Sequence, residues 1–159
     1  MSLWESYKTS IFLCHQALKC DVDFAIISAQ NPAGNTEHPY LNLRRDKELQ
    51  ACLNQQRLPY RSVIGSAPDL SFQEKSWIVL CDKNQAIQLA LQFEQNAIYW
   101  VEQGELFLVP VLMPQQEERL GSFSQRLVLY QTCHWKGTMH MMMILMMMCL
   151  YQCLRLFIS

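Results

Sequence analysis

Over the first 110 positions, short apolar runs alternate with amphipathic stripes, and each predicts one element. Leu3, Trp4 and Tyr7 share one side of a short helical lead-in over residues 4–8. Ile11–Cys14 and Phe24–Ser28 are apolar runs separated by a polar stretch at 16–23, a pattern that predicts a β-hairpin. A loop rich in Asn, Pro and Gly follows at 29–35. The next helix is expected over 39–56, opened by Pro39 and closed by Leu58-Pro59. Residues 60–64 alternate as a strand, and 65–69 form a turn. Residues 76–81 are apolar on both faces, as in a central strand. Asp82 with Gln85 three residues later predicts an N-cap and capping box for a helix running to about Glu94. Its buried stripe is Ala86, Leu89, Ala90 and Phe93. Strands at 97–101 and 106–109 are joined through the tight turn 102–105, and Pro110 and Pro114 end the regular pattern.

The order is β-β-α-β-β-α-β-β after the leading helix. An amphipathic helix must bury its stripe on a sheet, so the expected class is α+β: a mainly antiparallel sheet with two helices on one face. The middle portion, β-α-β-β-α-β, has the ferredoxin-like order.

Composition adds a boundary. All 14 acidic residues precede Gly121, as do 10 of the 13 Lys and Arg, and seven of the nine methionines lie between Met139 and Met148. The domain is therefore expected over 1–115, with 116–159 a tail outside it. Three readings of the Met-rich run compete. An anchor needs about 20 apolar residues, and His140, Gln152 and Arg155 oppose it. A soft, adaptable binding helix or metal site is the second. The third is a shifted reading frame, because ATG repeats read one base out of step become GAT, aspartate. That reading is preferred because it restores acidic residues where there are none, and a membrane is expected only if the tail is native.

A net charge of −1 indicates no nucleic-acid partner. Seven irregularly spaced cysteines with no C-x-x-C fit small buried residues of a reducing cytoplasm rather than a disulfide or zinc framework. No metal-spaced histidine pair, G-x-S-x-G or phosphate-cradling glycine loop occurs, so no cofactor or metal is called for. The informative anomaly lies on the first long helix. Its apolar face of Leu49, Cys52 and Leu53 continues backwards at helical spacing into Arg45 and Asn42, beside the loop holding Asn31. Polar groups on a core-facing stripe need partners. They face either a cleft at the end of the second strand or local backbone, with Asn42 bonding the preceding loop and Arg45 reaching the rim. Asp69 in its turn, Glu74 before the central strand, and Gln95-Asn96 between helix and strand complete the candidates.

Ile26 to Pro32, Asn42-x-x-Arg45, Gly65-Ser66-x-Pro68-Asp69 with Glu74, and Phe93-x-Gln95-Asn96-Ala97-Ile98 together resemble the bacterial domain-of-unknown-function family 3293 over about residues 5–110. The resemblance implies a cytosolic bacterial protein without assigning a reaction, and it marks Asn31, Asn42, Arg45, Asp69, Glu74, Gln95 and Asn96 as a set. The expected function is a module binding a small molecule or a protein at the polar end of its sheet. The alternative is a small enzyme using Glu74 or Asp69 as acid or base, with Arg45 holding an anionic substrate.

Overall fold

The computed structural model describes residues 2–16 and 22–130. The Met-rich run and its three readings lie outside the described residues. The elements in chain order are α1 (Leu3–Lys8), β1 (Ile11–Cys14), β2 (Phe24–Ser28), α2 (Pro39–Gln55), β3 (Tyr60–Ser66), β4 (Gln73–Val79), α3 (Lys83–Gln92), β5 (Ala97–Glu102), β6 (Glu105–Pro110), β7 (Glu118–Ser122) and β8 (Leu127–Leu129). Short 3₁₀ turns occupy Pro32–Gly34 and Phe123–Arg126. The class is α+β, with a mainly antiparallel sheet.

The strands form one sheet in the order β7-β6-β5-β2-β4-β3-β1-β8. Within it, β5-β2-β4-β3 is the split arrangement of the β-α-β-β-α-β unit, where each crossover helix skips one strand. Both helices lie on the same face. Leu49 and Leu53 of α2, with Ala86, Leu89 and Ala90 of α3, pack on Ala25, Ile27, Trp77, Val79, Ile98 and Trp100.

The expected hairpin between β1 and β2 does not form. β1 pairs antiparallel with β3 and parallel with β8, while β2 pairs with β4 and β5. A nine-residue connection, 15–23, allows the two strands to part, and the four buried residues of β2 claim the centre of the sheet. The domain also runs past residue 115. β7 and β8 are its two edge strands, and the turn between them buries Phe123 completely.

That short connection dictates the shape. Eight flat strands span about 34 Å from edge to edge, whereas a four-residue link reaches less than about 20 Å. The sheet must curl until its edges approach. Its inner face becomes a second core of Phe12, Phe24, Ile26, Val63, Ile78, Val101, Leu106 and Phe123. Phe123 packs on Phe12 and Phe24 with ring centroids 5.5 and 5.3 Å apart. α1 bridges the edges: Lys8 pairs with Glu118 at 3.0 Å, and Arg126 donates to the carbonyls of Lys8 and Ser10.

Local signals hold with small shifts. Asp82 accepts from the Gln85 N–H at 2.8 Å as an N-cap, but the Gln85 side chain bonds Gln56 instead of returning to close the box. Gln103 and Gly104, both at positive φ, make the two-residue turn between β5 and β6. β4 begins at Gln73, three residues before the apolar run, because its polar start pairs with the end of β3 through Ser66↔Gln73 and Gly65↔Glu74.

Candidate functional site

The segment from Ala29 to Glu37 leaves β2, reverses direction and enters α2. Three residues in it hold positive φ: Asn31 at 49°, Ala33 at 51° and Gly34 at 76°. Gly34 takes that region freely and Asn tolerates it, but Ala33 is strained there. A Cβ at Gly34 would also lie 2.7 Å from Leu3 Cδ2 and 2.8 Å from Asn96 Nδ2, so α1 and the start of β5 press directly on the turn. Such a conformation persists only if its surroundings fix it.

They do so with the residues that the sequence singled out. Asn42 accepts from the Asn31 N–H at 2.8 Å, and its amide donates to Asn31 Oδ1 at 2.9 Å. Asn31 Oδ1 also accepts from the Glu37 N–H at 3.0 Å. Arg45 donates from Nε to the Ala29 carbonyl at 2.8 Å and from Nη2 to the Phe93 carbonyl at 2.7 Å, with Glu94 at 3.3 Å. The Gln95 amide, buried, donates to the carbonyls of Gln30 and Phe93. The Glu94 carbonyl accepts from the Ala33 N–H at 2.6 Å. Asn42, Arg45 and Gln95 are therefore a scaffold that ties α2 and the end of α3 to one loop. Arg45 spends its fork on backbone carbonyls, and this argues against its expected part as an anion holder.

Glu74 meets this loop from the sheet. Register puts it on the inner face with Ser76 and Ile78, at the mouth of the curl. Ser28 lies across from Ser76 on β2. Gly65, opposite Glu74, contributes no side chain, and a Cβ there would touch only Ser76 Oγ at 3.7 Å and the Glu74 carbonyl at 3.8 Å. Burial raises the Glu74 carboxyl above its ordinary value, and hydrogen bonding from the Ser28 and Asn31 side chains opposes the rise. On the far side stands Tyr7, whose phenol accepts from the Asn96 amide at 3.3 Å. Burial raises Tyr7 as well, partly offset by Asn96, with the nearby Glu74 charge adding to it. Tyr99 O–H donates to the Tyr7 carbonyl at 2.8 Å, its oxygen lies 2.8 Å from Ser10 Oγ, and burial holds its phenol neutral.

Asp69 stands apart. It sits at the tip of the β3–β4 hairpin, exposed, and accepts from Ser71 N and Oγ at 3.0 and 2.6 Å. Those bonds lower its pKa and mark an Asx turn. The residues missed in the sequence are Tyr7, Ser28 and Tyr99, together with Asp46. Tyr7 and Tyr99 read as ordinary apolar positions, and Ser28 as a strand end. Asp46 follows Asn42 by one helical turn and is the α2 residue that points straight at the sheet. It is 2 % exposed and accepts from Trp77 Nε1 at 2.8 Å and Lys75 Nζ at 2.7 Å. The buried face of α2 is thus Asp46, Leu49 and Leu53, rotated slightly from the expected Asn42, Arg45, Leu49 stripe.

Residues 27–98 match a known family. It is described as protein of unknown function (DUF3293). The DUF3293 match is narrower than the expected 5–110. It runs from the end of β2 through the two crossover helices to the start of β5, and so holds α2, β3, β4 and α3 of the split unit, the pinned loop and all seven marked residues. Tyr7 and Tyr99, which complete the polar mouth, come from outside the matched segment. No curated protein and no solved structure matches the chain. Among the described residues, no helix is long and apolar enough to cross a membrane.

Proposed function

We propose that this chain is a small cytoplasmic bacterial module that binds a small polar ligand at the mouth of its curled sheet, with Glu74 as the central recognition group. One observation carries the reading: four polar side chains, Asn31 in the loop, Asn42 and Arg45 on α2, and Gln95 after α3, spend their hydrogen bonds fixing a single strained loop against Glu74. Folding alone does not require a strained turn at that place, and a preorganised loop over a desolvated carboxyl is what a binding site requires. Asn31, Asn96, Ser28 and Tyr7 supply uncharged donors and acceptors around the carboxyl, and no cation figures among the groups that shift it. A ligand bearing hydrogen-bond donors suits that mouth better than an anion. Free thiols at Cys14, Cys52 and Cys81 among the described residues fit a reducing compartment.

The test is a thermal-stabilisation screen of the full chain against amines, amino acids, nucleosides and sugars, run in parallel on Glu74→Gln. The expected hit raises the midpoint of the wild type by several degrees and leaves the variant unmoved. A hit that stabilises both equally would place the site elsewhere. The raised carboxyl favours a second reading, in which Glu74 transfers a proton to a bound substrate. Turnover of the hit, lost in Glu74→Gln and following a single ionisation above the ordinary carboxylate range, would select the enzyme over the binding module.

A further inference from the structure

The two crossover helices cover β2, β4 and β5 on the outer face of the sheet, and the same face of β1 and β3 holds a cleft of about 300 Å³. This is the lower end of the range for small-ligand pockets. Register assigns the side chains. Leu13 lies opposite Ile64, Ile64 opposite Lys75, and Ser62 opposite Trp77, so all of them face outward with the helices. Glu74 and Val63 border the cleft from strand positions whose side chains face the inner core. The outward lining is then an apolar floor of Leu13 and Ile64, a polar wall of Ser62, Gln73 and Lys75, and the His15–Tyr130 pair. In that pair the rings meet at a 47° tilt with centroids 4.1 Å apart, and the Tyr130 hydroxyl and His15 Nε2 are 2.7 Å apart. No carboxylate side chain faces this space from the lining strands.

Lys75 is placed there by a buried anion. Asp46 comes down from α2, holds the ammonium at 2.7 Å, and is itself fixed by Trp77 Nε1 at 2.8 Å. The ammonium also lies 4.3 Å from the centroid of the Trp77 ring. A Lys stem is flexible, and most surface lysines wander in water. This one is clamped from beneath by a carboxylate and an indole, with more than a third of its side chain still exposed. One of its three N–H groups serves Asp46, and the others remain for a group in the cleft. Because Asp46 lies deeper than Lys75, the cleft meets the positive end of the pair.

The structure assigns this cleft, we infer, to a small organic monocarboxylate: its carboxylate on Lys75 with Ser62 and Gln73, its apolar or aromatic body on Leu13, Ile64 and the Tyr130 ring. A single cation, backed by one deeper carboxylate, suits at most one negative charge. A phosphate dianion would call for more positive charge and has no use for the apolar floor. Asp46 acts as the positioning residue. The site is separate from the Glu74 mouth, which opens on the other face of β4.

The experiment follows amide resonances of the full ¹⁵N-labelled chain during titration with benzoate and hexanoate. Benzamide, hexanamide and inorganic phosphate serve as comparison probes. The carboxylates are expected to shift the resonances of Leu13, Ser62, Ile64 and Tyr130, with the neutral amides and phosphate at least tenfold weaker. Lys75→Met keeps the stem and is expected to weaken carboxylate binding at least tenfold. Ser62→Trp, at an exposed strand position, is expected to block it without touching Asp46, so the idea stays testable if Lys75→Met disturbs the fold. The proposal is overturned if no cleft resonance moves at millimolar carboxylate, if phosphate binds as well, or if Ser62→Trp binds unchanged.

Discussion

Glu74 concentrates the chemistry of the site in one ionisable group, and its environment fixes a sign. Burial raises the carboxyl in the folded chain above its unfolded value of about 4.3, so between the two values the native state holds more protons than the unfolded one. The charge therefore costs stability. Stability is fullest below the unfolded value and falls as pH rises through the folded value. Glu74→Gln abolishes that fall, and its advantage over the wild type is expected to grow from about pH 4 upward and then level off. Urea midpoints of the two proteins at unit pH steps check it. A wild type that gains stability relative to the variant across that window would mean that hydrogen bonds from Ser28 and Asn31 outweigh desolvation. Glu74 was legible in the sequence only as a charge before a strand. The strand begins three residues earlier than its apolar run, and the inward direction of residue 74 follows from pairing with Gly65, which no local pattern encodes.

At the level of elements, the loop after β2 and the two helices are held by polar atoms instead of apolar area. Arg45 is the largest contributor, since it satisfies the Ala29 and Phe93 carbonyls from one planar group. Charge-assisted hydrogen bonds of this kind contribute about 1.5–3 kcal/mol each, and part of that is lost when water replaces the guanidinium at a half-buried rim. Arg45→Ala is expected to cost about 2–4 kcal/mol in chemical denaturation. Arg45→Lys is expected to recover less than half, because a single ammonium cannot reproduce two bonds set by a rigid fork. A full rescue by lysine would reduce the residue to a surface charge. Asn42 and Arg45 stood out in the sequence because polar residues interrupted an apolar stripe, and the structure answers that anomaly with backbone partners on the adjoining loop. Asp46 carried the same signal more strongly, yet one residue of helical phase separates it from the stripe drawn through Arg45. Leu49 and Leu53 alone leave that phase undetermined.

For the molecule as a whole, closure of the sheet depends on its last strands. The helices and the six strands up to Pro110 announced themselves through periodicity, while β7 and β8 did not. Glu118-Arg-Leu-Gly-Ser carries one apolar residue in five, and edge strands with one wet side need no more. The abrupt loss of acidic residues after Leu120 then placed the end of the domain before the strand that finishes it. The packing argues for the later limit. Phe123 is fully buried against Phe12 and Phe24, and a side chain in that position is worth about 3–5 kcal/mol when truncated to alanine. Arg126 holds three carbonyls, of Lys8, Ser10 and Leu120, and so joins α1 to β7 across the gap between the sheet edges. Removing both, with β7 and β8, takes away an amount comparable to the 5–15 kcal/mol that stabilises an ordinary domain. A chain ending at residue 115 is therefore expected to lose its near-ultraviolet dichroism and its dispersed amide spectrum, whereas a chain ending at Tyr130 keeps both. If the shorter chain folded with the same spectrum, the curled sheet would not need its edge strands. The polar mouth at Glu74, whose Tyr7 wall rests on that closure through Arg126 and α1, would then have to be held by the split β-α-β-β-α-β unit alone.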